Sequence, residues 1–377
     1  SGSRVEHWMN GQKVAEYDRA DDAWKQQVAS APAFRTAAQN FHRAGLGHLA
    51  LQSYDGNVWY RNLRVRPLGA AMATTTLTSA SGRVSLTGPE LFDLFTNDDK
   101  WEWTSAENLG PVINTTHGEY SPAISGDGLT LIYFSSRPET SGKWDLWSSR
   151  RISRDATFAT PENLGPQLNS TEHDYSPWLS ADGRTLLFAT RRDGMKQSDL
   201  WQTTRPDVRA SFATPSAVPG AVNTTSAETS GTLTADGLRI IFASTNGGNE
   251  DLYESSRTSR DAAFVSPKRL GGDINGPNFE RNPWLSADGL LLVYNEEPQS
   301  ESNPSTQAKF WVTLRPSVNE PFGPRVPVTI QPPKDTPLGP RRFTSTADGQ
   351  QVFFAAESSV GVGGYDLWTV RRVPRAA

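Results

Sequence analysis

The 377-residue sequence contains no cysteine, only 3 methionines and only 5 histidines. The absence of cysteine excludes a disulfide framework and any chemistry that depends on a thiolate. No apolar run approaches the ~20 residues that a membrane-spanning helix needs. No zinc-site spacing, phosphate-binding glycine loop or Ser-His-Asp order stands out. With 37 basic and 41 acidic side chains the formal net charge is −4, which excludes a general affinity for nucleic acids.

Glycine and proline, in contrast, are frequent, with 31 and 26 residues spread along the whole chain. They interrupt every stretch in which helical periodicity could develop, which indicates short strands joined by turns. The 12 tryptophans recur at matching places, and this recurrence is a first sign of internal repeats.

Five segments of the sequence share one pattern that ends in Asp-Gly. Their glycines are Gly128, Gly183, Gly237, Gly289 and Gly349, spaced 55, 54, 52 and 60 residues apart. Asp-Gly is a strong hairpin signal because glycine tolerates a positive φ. An apolar strand follows each turn, a third strand carries Asp-Leu-Trp or a variant, and a fourth is predicted at a phenylalanine. The phenylalanines are Phe158, Phe212, Phe264 and Phe322. Four strands per repeat of this length predict the blades of a β-propeller.

The pattern Ser-x-Asp-Gly followed by Asp-Leu-Trp resembles the WD-like repeats of the TolB-type propeller family over residues 79–377. The resemblance implies an all-β propeller, and six blades are favoured because a degenerate sixth unit lies at Ser79–Gly82 and Phe92–Phe95. The alternative is a five-bladed ring, in which residues 101–109 supply the fourth strand of the last blade. Such folds host many activities, so this resemblance predicts the fold rather than the function.

Residues 1–68 lack the repeat. Arg4–Met9 and Lys13–Tyr17 flank an Asn-Gly turn and predict a β-hairpin, and residues 47–52 and 58–65 predict two more strands. Val5–Val14, Gly47–Gln52 and Val58–Val65 resemble the C-terminal part of the 3-keto-disaccharide hydrolase domain, a concanavalin/glucanase-type jelly roll of secreted bacterial proteins. We therefore predict a partial jelly roll at 1–68 whose start is missing, a linker at 69–78 and the propeller at 79–377. The resemblance implies a secreted or periplasmic protein.

The N-terminal segment contains the candidates for catalysis. His48 shares the polar face of a predicted strand with Gln52, and Glu6 precedes the Asn-Gly turn. His48 or Glu6 could protonate a glycosidic oxygen, while Gln52 and Arg61 could bind the sugar. The alternative is that these are ordinary polar residues of a solvated sheet. If the chain is an enzyme, the resemblance implies a hydrolase acting on (3-keto)glycosidic bonds.

Four carboxylates occupy one position of the repeat, eight residues before each Asp-Gly aspartate. They are Glu119, Asp174, Glu228 and Glu280. This position opens the first strand of a blade, which lines the channel of a propeller. We therefore predict an acidic ring that could bind a divalent cation such as Ca²⁺ or Mn²⁺, or meet a basic partner. The alternative is that each carboxylate caps a loop of its own blade.

The sequence leaves several functions open. In the first, the propeller is a binding module that holds a carbohydrate or protein partner in its channel or on its loops. In the second, the protein is a 3-keto-glycoside hydrolase that the propeller assists. In a third, the propeller is itself a glycosidase, which would require paired carboxylates facing one another across the channel. We expect a monomer with no nucleic-acid partner and no membrane span.

Overall fold

The structure is a computed structural model. It describes the backbone of residues 4–9 and 12–18, and residues 85–138, 142–194, 197–299, 308–330 and 339–375. The chain divides into two compact units, Ser1–Gly82 and Arg83–Ala377. Within these described ranges, no helix is long and apolar enough to cross a membrane.

The first unit contains a β-hairpin in its described part. Strand β1 (Arg4–Met9) pairs antiparallel with β2 (Gln12–Asp18), and Glu6 lies opposite Glu16. This confirms the pairing of the two strands that the sequence predicts on either side of Asn-Gly. His48, Gln52 and Arg61 lie outside the described residues, so their predicted roles stay predictions.

The second unit is an antiparallel β-propeller. It begins with α1 (Gly88–Thr96), β3 (Trp101–Trp103) and β4 (Glu107–Asn108). Blade 1 contains β5 (Glu119–Ile124), β6 (Thr130–Ser135), β7 (Asp145–Arg150) and β8 (Glu162–Asn163). Blade 2 contains β9 (Asp174–Leu179), β10 (Thr185–Thr190), β11 (Asp199–Thr204) and β12 (Ser216–Ala217). A 3-10 turn, Arg192–Gly194, follows β10.

The remaining blades repeat this order. Blade 3 contains β13 (Glu228–Leu233), β14 (Arg239–Ser244), β15 (Asp251–Ser256) and β16 (Lys268–Arg269). Blade 4 contains β17 (Phe279–Leu285), β18 (Leu291–Glu297), β19 (Lys309–Leu314) and β20 (Val326–Val328). Blade 5 contains β21 (Arg341–Ser345), β22 (Gln351–Glu357) and β23 (Tyr365–Pro374).

The ring closes in blade 5, where strands from both ends of the propeller meet. Trp103 of β3 lies opposite Arg372 of β23, and Asn108 of β4 lies opposite Trp368. The described part of the chain therefore forms five blades, which confirms the five-bladed alternative; the preference for six is wrong.

The segment that the sequence analysis assigned to a sixth blade, Phe92–Phe95, lies in α1. The carboxylate of Glu90 accepts hydrogen bonds from the Thr87 backbone N–H at 2.8 Å and the Thr87 hydroxyl at 2.7 Å. These bonds satisfy groups at the start of the helix. Leu91, Leu94 and Phe95 then follow at helical spacing and are buried, so an amphipathic helix forms instead of a strand.

The second strand of each blade is buried on both faces. Leu131, Ile132 and Tyr133 of β6 are fully buried, because each blade packs between two neighbours and covers both faces of its sheet. The phenylalanines predicted for the fourth strands instead precede those strands. Phe158 lies before β8 and under the guanidinium of Arg151, whose Cζ is 4.6 Å from the ring centroid. Stacking on this arginine holds the phenylalanine outside the strand ladder.

Candidate functional site in the central channel

The first strands of the blades carry a β-bulge where they face the channel. Ser121, Ser176, Asn282 and Arg342 occupy the same position of the repeat, with φ of 48°, 47°, 53° and 65°. The strand register shifts beside each of these residues. A bulge redirects a side chain and is frequent next to functional sites. The repeat therefore places one side chain per bulge at the channel.

Arg342 spans the channel and joins blade 5 to three other blades. Its Nη1 donates to Ser121 Oγ at 2.7 Å, to Ser176 Oγ at 3.0 Å and to Asn282 Oδ1 at 2.9 Å. Its backbone N–H donates to Asn295 Oδ1 at 2.7 Å. Burial lowers the pKa of the Arg342 guanidinium from its usual value. Hydrogen bonds from a charged guanidinium are stronger than those between neutral groups.

The channel is narrow around Arg342. It leaves a cavity of about 30 Å³, which is room for roughly two water molecules. A second cavity of about 50 Å³ lies further along, where Leu86 and Leu91 meet the alanines of the hairpin turns. The Leu86 N–H donates to Ala347 O at 2.9 Å. Neither space accommodates a sugar ring.

Charged groups adjoin the bulge residues in sequence. Arg281 Nε donates to Glu250 Oε2 at 2.6 Å, and Arg281 Nη1 donates to Glu297 Oε2 at 3.3 Å. Arg341 Nη1 lies 3.5 Å from the same Glu297 oxygen. Glu250 and Glu297 are therefore held by arginines across blades 3, 4 and 5. Among the described residues that line the channel cavity, none is acidic.

The four carboxylates of the predicted acidic ring lie inside their blades. Glu119, Asp174, Glu228 and Glu280 are fully buried, and none of them lines the channel cavity. Glu119 accepts from the Thr115 N–H and hydroxyl, both at 2.8 Å, and from Arg137 Nη2 at 2.9 Å. The geometry fits the alternative in which each carboxylate caps its own loop.

The same arrangement recurs in two other blades. Asp174 accepts from the Ser170 N–H at 2.6 Å and from Arg192 at 2.9 Å. Glu228 accepts from the Thr224 N–H at 3.0 Å and from Ser244 Oγ at 2.9 Å. Burial raises the pKa of Glu228 despite these hydrogen bonds.

Glu280 has fewer partners than the other three. Its Oε2 accepts from the Gly276 N–H at 3.0 Å, but glycine offers no hydroxyl, and Oε1 is buried with no hydrogen-bond partner. Glu296 lies opposite on β18, where Glu119 has a serine. Burial, followed by the charges of Asp251 and Glu296, raises the pKa of Glu280 to about 7.

The predicted divalent cation has no protein-built cluster in the described ranges. No three His, Asp or Glu side chains there come together in a way that could hold a metal ion. The prediction of a Ca²⁺ or Mn²⁺ ion stays untested. Chemically, the residues that line the channel cavity offer one guanidinium, four hydroxyls and an amide, which can form hydrogen bonds but cannot act as paired acids.

The comparison with family models concerns the first unit. Residues 1–66 match the model of the 3-keto-alpha-glucoside-1,2-lyase-like domain. This match confirms the resemblance of the N-terminal segment. A comparison with curated protein sequences found no match.

Several solved structures are similar to this chain. A GH62 hydrolase solved in complex with xylotriose is 12% identical, with a TM-score of 0.51 over 74% of this chain and 99% of that one. TolB from Acinetobacter baumannii is 20% identical, with a TM-score of 0.40 over 70% of this chain and 56% of that protein. An alpha-L-arabinofuranosidase from Lactobacillus brevis is 13% identical, with a TM-score of 0.46 over 71% and 92%. At these identities the likeness shows the fold alone.

Arg342 is the site residue that sequence reasoning missed. It follows Pro340, which stands where the other blades have a carboxylate, and it aligns with Ser121, Ser176 and Asn282. A single long cation among short polar residues at one repeat position was the available signal. The carboxylates of the predicted acidic ring stand two residues earlier, and those side chains are buried inside the blades.

Proposed function

We propose that the propeller is a carbohydrate-binding domain with no glycosidase activity of its own. The match of residues 1–66 to a domain family named for 3-keto-alpha-glucosides supports the carbohydrate part. The guanidinium of Arg342 supports the absence of glycosidase activity and carries that part of the proposal. It lies where a propeller glycosidase would need a pair of carboxylates, and its three hydrogen bonds close the channel.

The test combines titration and turnover on the full 377-residue chain. Isothermal titration with trehalose, sucrose, maltose and xylotriose should give saturable heats for at least one sugar. Aryl arabinofuranosides and xylosides should not be cleaved above the rate in buffer. Cleavage that is lost in Glu297→Gln and retained in the surface control Glu172→Gln would place hydrolysis in the propeller and overturn the proposal.

A second function has its own support, because the family match falls on the segment that contains His48 and Glu6. In this function the N-terminal segment cleaves 3-keto-glycosides, with His48 or Glu6 as proton donor and with Gln52 and Arg61 binding the sugar. Loss of 3-keto-trehalose cleavage in His48→Ala, with retention in the matched control His42→Ala, would support it. Equal rates in both variants would exclude His48 as the acid.

The cellular location and the partners are part of the same proposal. A carbohydrate-binding propeller is expected outside the cytoplasm, as a monomer, with a glycan or protein partner. Fractionation of producing cells tests the location, and light scattering of the purified chain tests the monomer. The predicted Ca²⁺ or Mn²⁺ ion is tested by melting the protein in millimolar chloride salts against NaCl of equal ionic strength.

A further inference from the structure

An arginine holds the same place near the end of the third strand in each of the first four blades. Arg151, Arg205, Arg257 and Arg315 stack on Phe158, Phe212, Phe264 and Phe322, respectively. The Nε of each donates to the carbonyl of the hairpin glycine of its own blade at 2.7 Å. This shared anchor allows the five interfaces between blades to be compared directly.

Three interfaces are crossed by a second arginine that reaches from one blade into the next. Arg150 of blade 1 donates to Val208 O at 2.9 Å, and Arg239 of blade 3 donates to Asn319 Oδ1 at 2.5 Å. Arg371 of blade 5 donates to Arg154 O at 3.2 Å. Each of these bonds closes the gap between two neighbouring blades.

Helix α1 fills the interface between blades 4 and 5. The Gly88 N–H donates to Asp288 Oδ2 at 2.7 Å, and Arg372 Nε donates to Leu94 O at 2.7 Å. The interface between blades 2 and 3 has neither the helix nor a crossing arginine at these positions. Thr204 stands where Arg150 and Arg371 stand, and Thr185 stands where Arg239 stands.

A crevice of about 470 Å³ therefore remains between blades 2 and 3, within the range of roughly 300–1,000 Å³ that is usual for small-molecule sites. Trp178 and Leu233 line it on the apolar side. Polar side chains from both blades complete it. They include Asp182, Thr185, Gln202, Thr204, Arg257, Arg260 and Asp261.

Arg257 lines this crevice. Its Nη1 is buried and has no hydrogen-bond partner. The equivalent guanidinium of Arg151 donates to Gln351 at 2.6 Å. Arg315 donates to Glu254 at 2.9 Å through Nη1, but its Nη2 is buried without a partner, as is Nη2 of Arg205. A crossing arginine, Arg239 or Arg150, lies at each of those two interfaces. The interface between blades 2 and 3 has threonines at both positions, so Arg257 lines an open crevice.

The side chains indicate what the ligand is. Two arginines and two aspartates line it, so the crevice has no excess of either charge and favours neither an anion nor a cation. Hydrogen-bond donors and acceptors are both present, beside apolar residues that include Trp178. A polyhydroxylated ring matches this mixture, because its hydroxyls both donate and accept and its C–H face packs on an aromatic ring.

We propose that the crevice between blades 2 and 3 is a binding site for a neutral mono- or disaccharide. The proposal rests on the carbohydrate-binding function proposed above and assigns its location. The bound sugar would accept from the guanidinium of Arg257 and donate to Asp182 or Asp261, outside the closed channel.

The test fills the crevice with the side chain that the other interfaces already carry. Thr204→Arg places a guanidinium opposite Asp261, as Arg371 lies 3.2 Å from Asp155 in the neighbouring repeat. Thr185→Arg does the same from β10. Because the fold accepts these arginines elsewhere, both variants should melt like wild type. Isothermal titration of the full chain with trehalose, sucrose and maltose should then show binding that is at least tenfold weaker.

The matched control is Arg150→Thr, which removes a crossing arginine from a different interface and should leave sugar binding unchanged. Wild-type binding that persists in both filled variants would overturn the crevice assignment and leave the carbohydrate-binding function standing. No binding of these three sugars or of xylotriose by wild type would overturn both. Tighter binding of glucuronate than of glucose, with a steep salt dependence, would overturn the neutral ligand class.

Discussion

The glycines of the hairpin turns adopt a positive φ, a backbone conformation that other residues resist. Gly289 has a φ of +73°, and a Cβ at this position would lie 2.7 Å from Thr234 Cγ2 in blade 3. We expect Gly289→Val to lower the free energy of unfolding by ~1–3 kcal/mol, because a β-branched residue strains at positive φ. Gly183→Val, at +70°, should behave similarly. Urea unfolding measures both.

The control for these variants is Gly271→Ala. No atom lies within 4 Å of a Cβ built there, and its φ is outside the positive region. Its free energy of unfolding should stay within ~0.5 kcal/mol of wild type. Equal stabilities of wild type, Gly183→Val and Gly289→Val would contradict the structural role of the Asp-Gly turns.

Glu280 makes the stability of blade 4 depend on pH. Its pKa is about 7 in the folded protein, above its ordinary value of 4.5, so folding favours the protonated form. The stabilisation is complete below pH 4.5 and is lost as pH rises towards 7. Glu280→Gln cannot ionise, and we expect its free energy of unfolding to fall less between pH 5 and pH 8 than that of wild type.

Glu119→Gln provides a comparison at a carboxylate that has more hydrogen-bond partners. Its carboxylate binds Arg137 at 2.9 Å. A glutamine amide would carry no charge, and its N–H groups would point at Thr115 or Arg137, which are donors themselves. This variant should therefore be less stable than wild type at pH 8. Parallel pH profiles for wild type and Glu280→Gln would show that Glu280 titrates normally.

At the scale of elements, the inner strands are tied together by one side chain. Arg342→Met should lower the free energy of unfolding by ~1–3 kcal/mol, since it leaves Ser121, Ser176 and Asn282 without their shared donor. Ser121→Ala removes a single acceptor and should cost less than Arg342→Met. A thermal melt of the two variants beside wild type decides the order.

Strands were more predictable from the sequence than the elements between them. Asp-Gly turns and continuous apolar runs predicted the second strand of every blade to within a few residues, because both signals are local. Phe92–Phe95 failed because Phe-Asp-Leu-Phe mimics the Asp-Leu-Trp strand motif. The helical signal was nevertheless present, in Thr87 followed by Glu90 and in the spacing of Leu91, Leu94 and Phe95.

The candidate site was less predictable for a geometric reason. Glu119 and Ser121 are two residues apart on one strand, yet one carboxylate is buried in the blade and one hydroxyl faces the channel. The bulge at Ser121, with a φ of 48°, breaks the simple alternation of strand faces. The crevice lined by Thr185 and Thr204 could not be predicted either. It is recognised only when the interfaces between blades are compared, and that comparison requires the strand register of all five blades.

At the scale of the whole molecule, stability depends on the seam in blade 5, the place where β3 and β4 pair with β23 and close the ring. The Thr104 N–H donates to Arg371 O, and the Arg371 N–H donates to the Thr104 hydroxyl, both at 2.9 Å. Thr104→Pro removes the first bond because proline has no N–H. We expect faster hydrogen exchange at the β23 amides and a lower melting temperature, whereas Thr104→Ala, which keeps the backbone bond, should show a smaller change.

The same seam can form only after both of its strands have been translated. Thr104 and Arg371 are 267 residues apart, a distance that a ribosome covers in roughly 15–50 s at about 5–20 residues per second. Throughout that interval the short strand holding Trp101 and Trp103 has no partner and presents an open edge. A nascent chain stalled near residue 360 should therefore bind cellular chaperones through this strand and release them once β23 emerges.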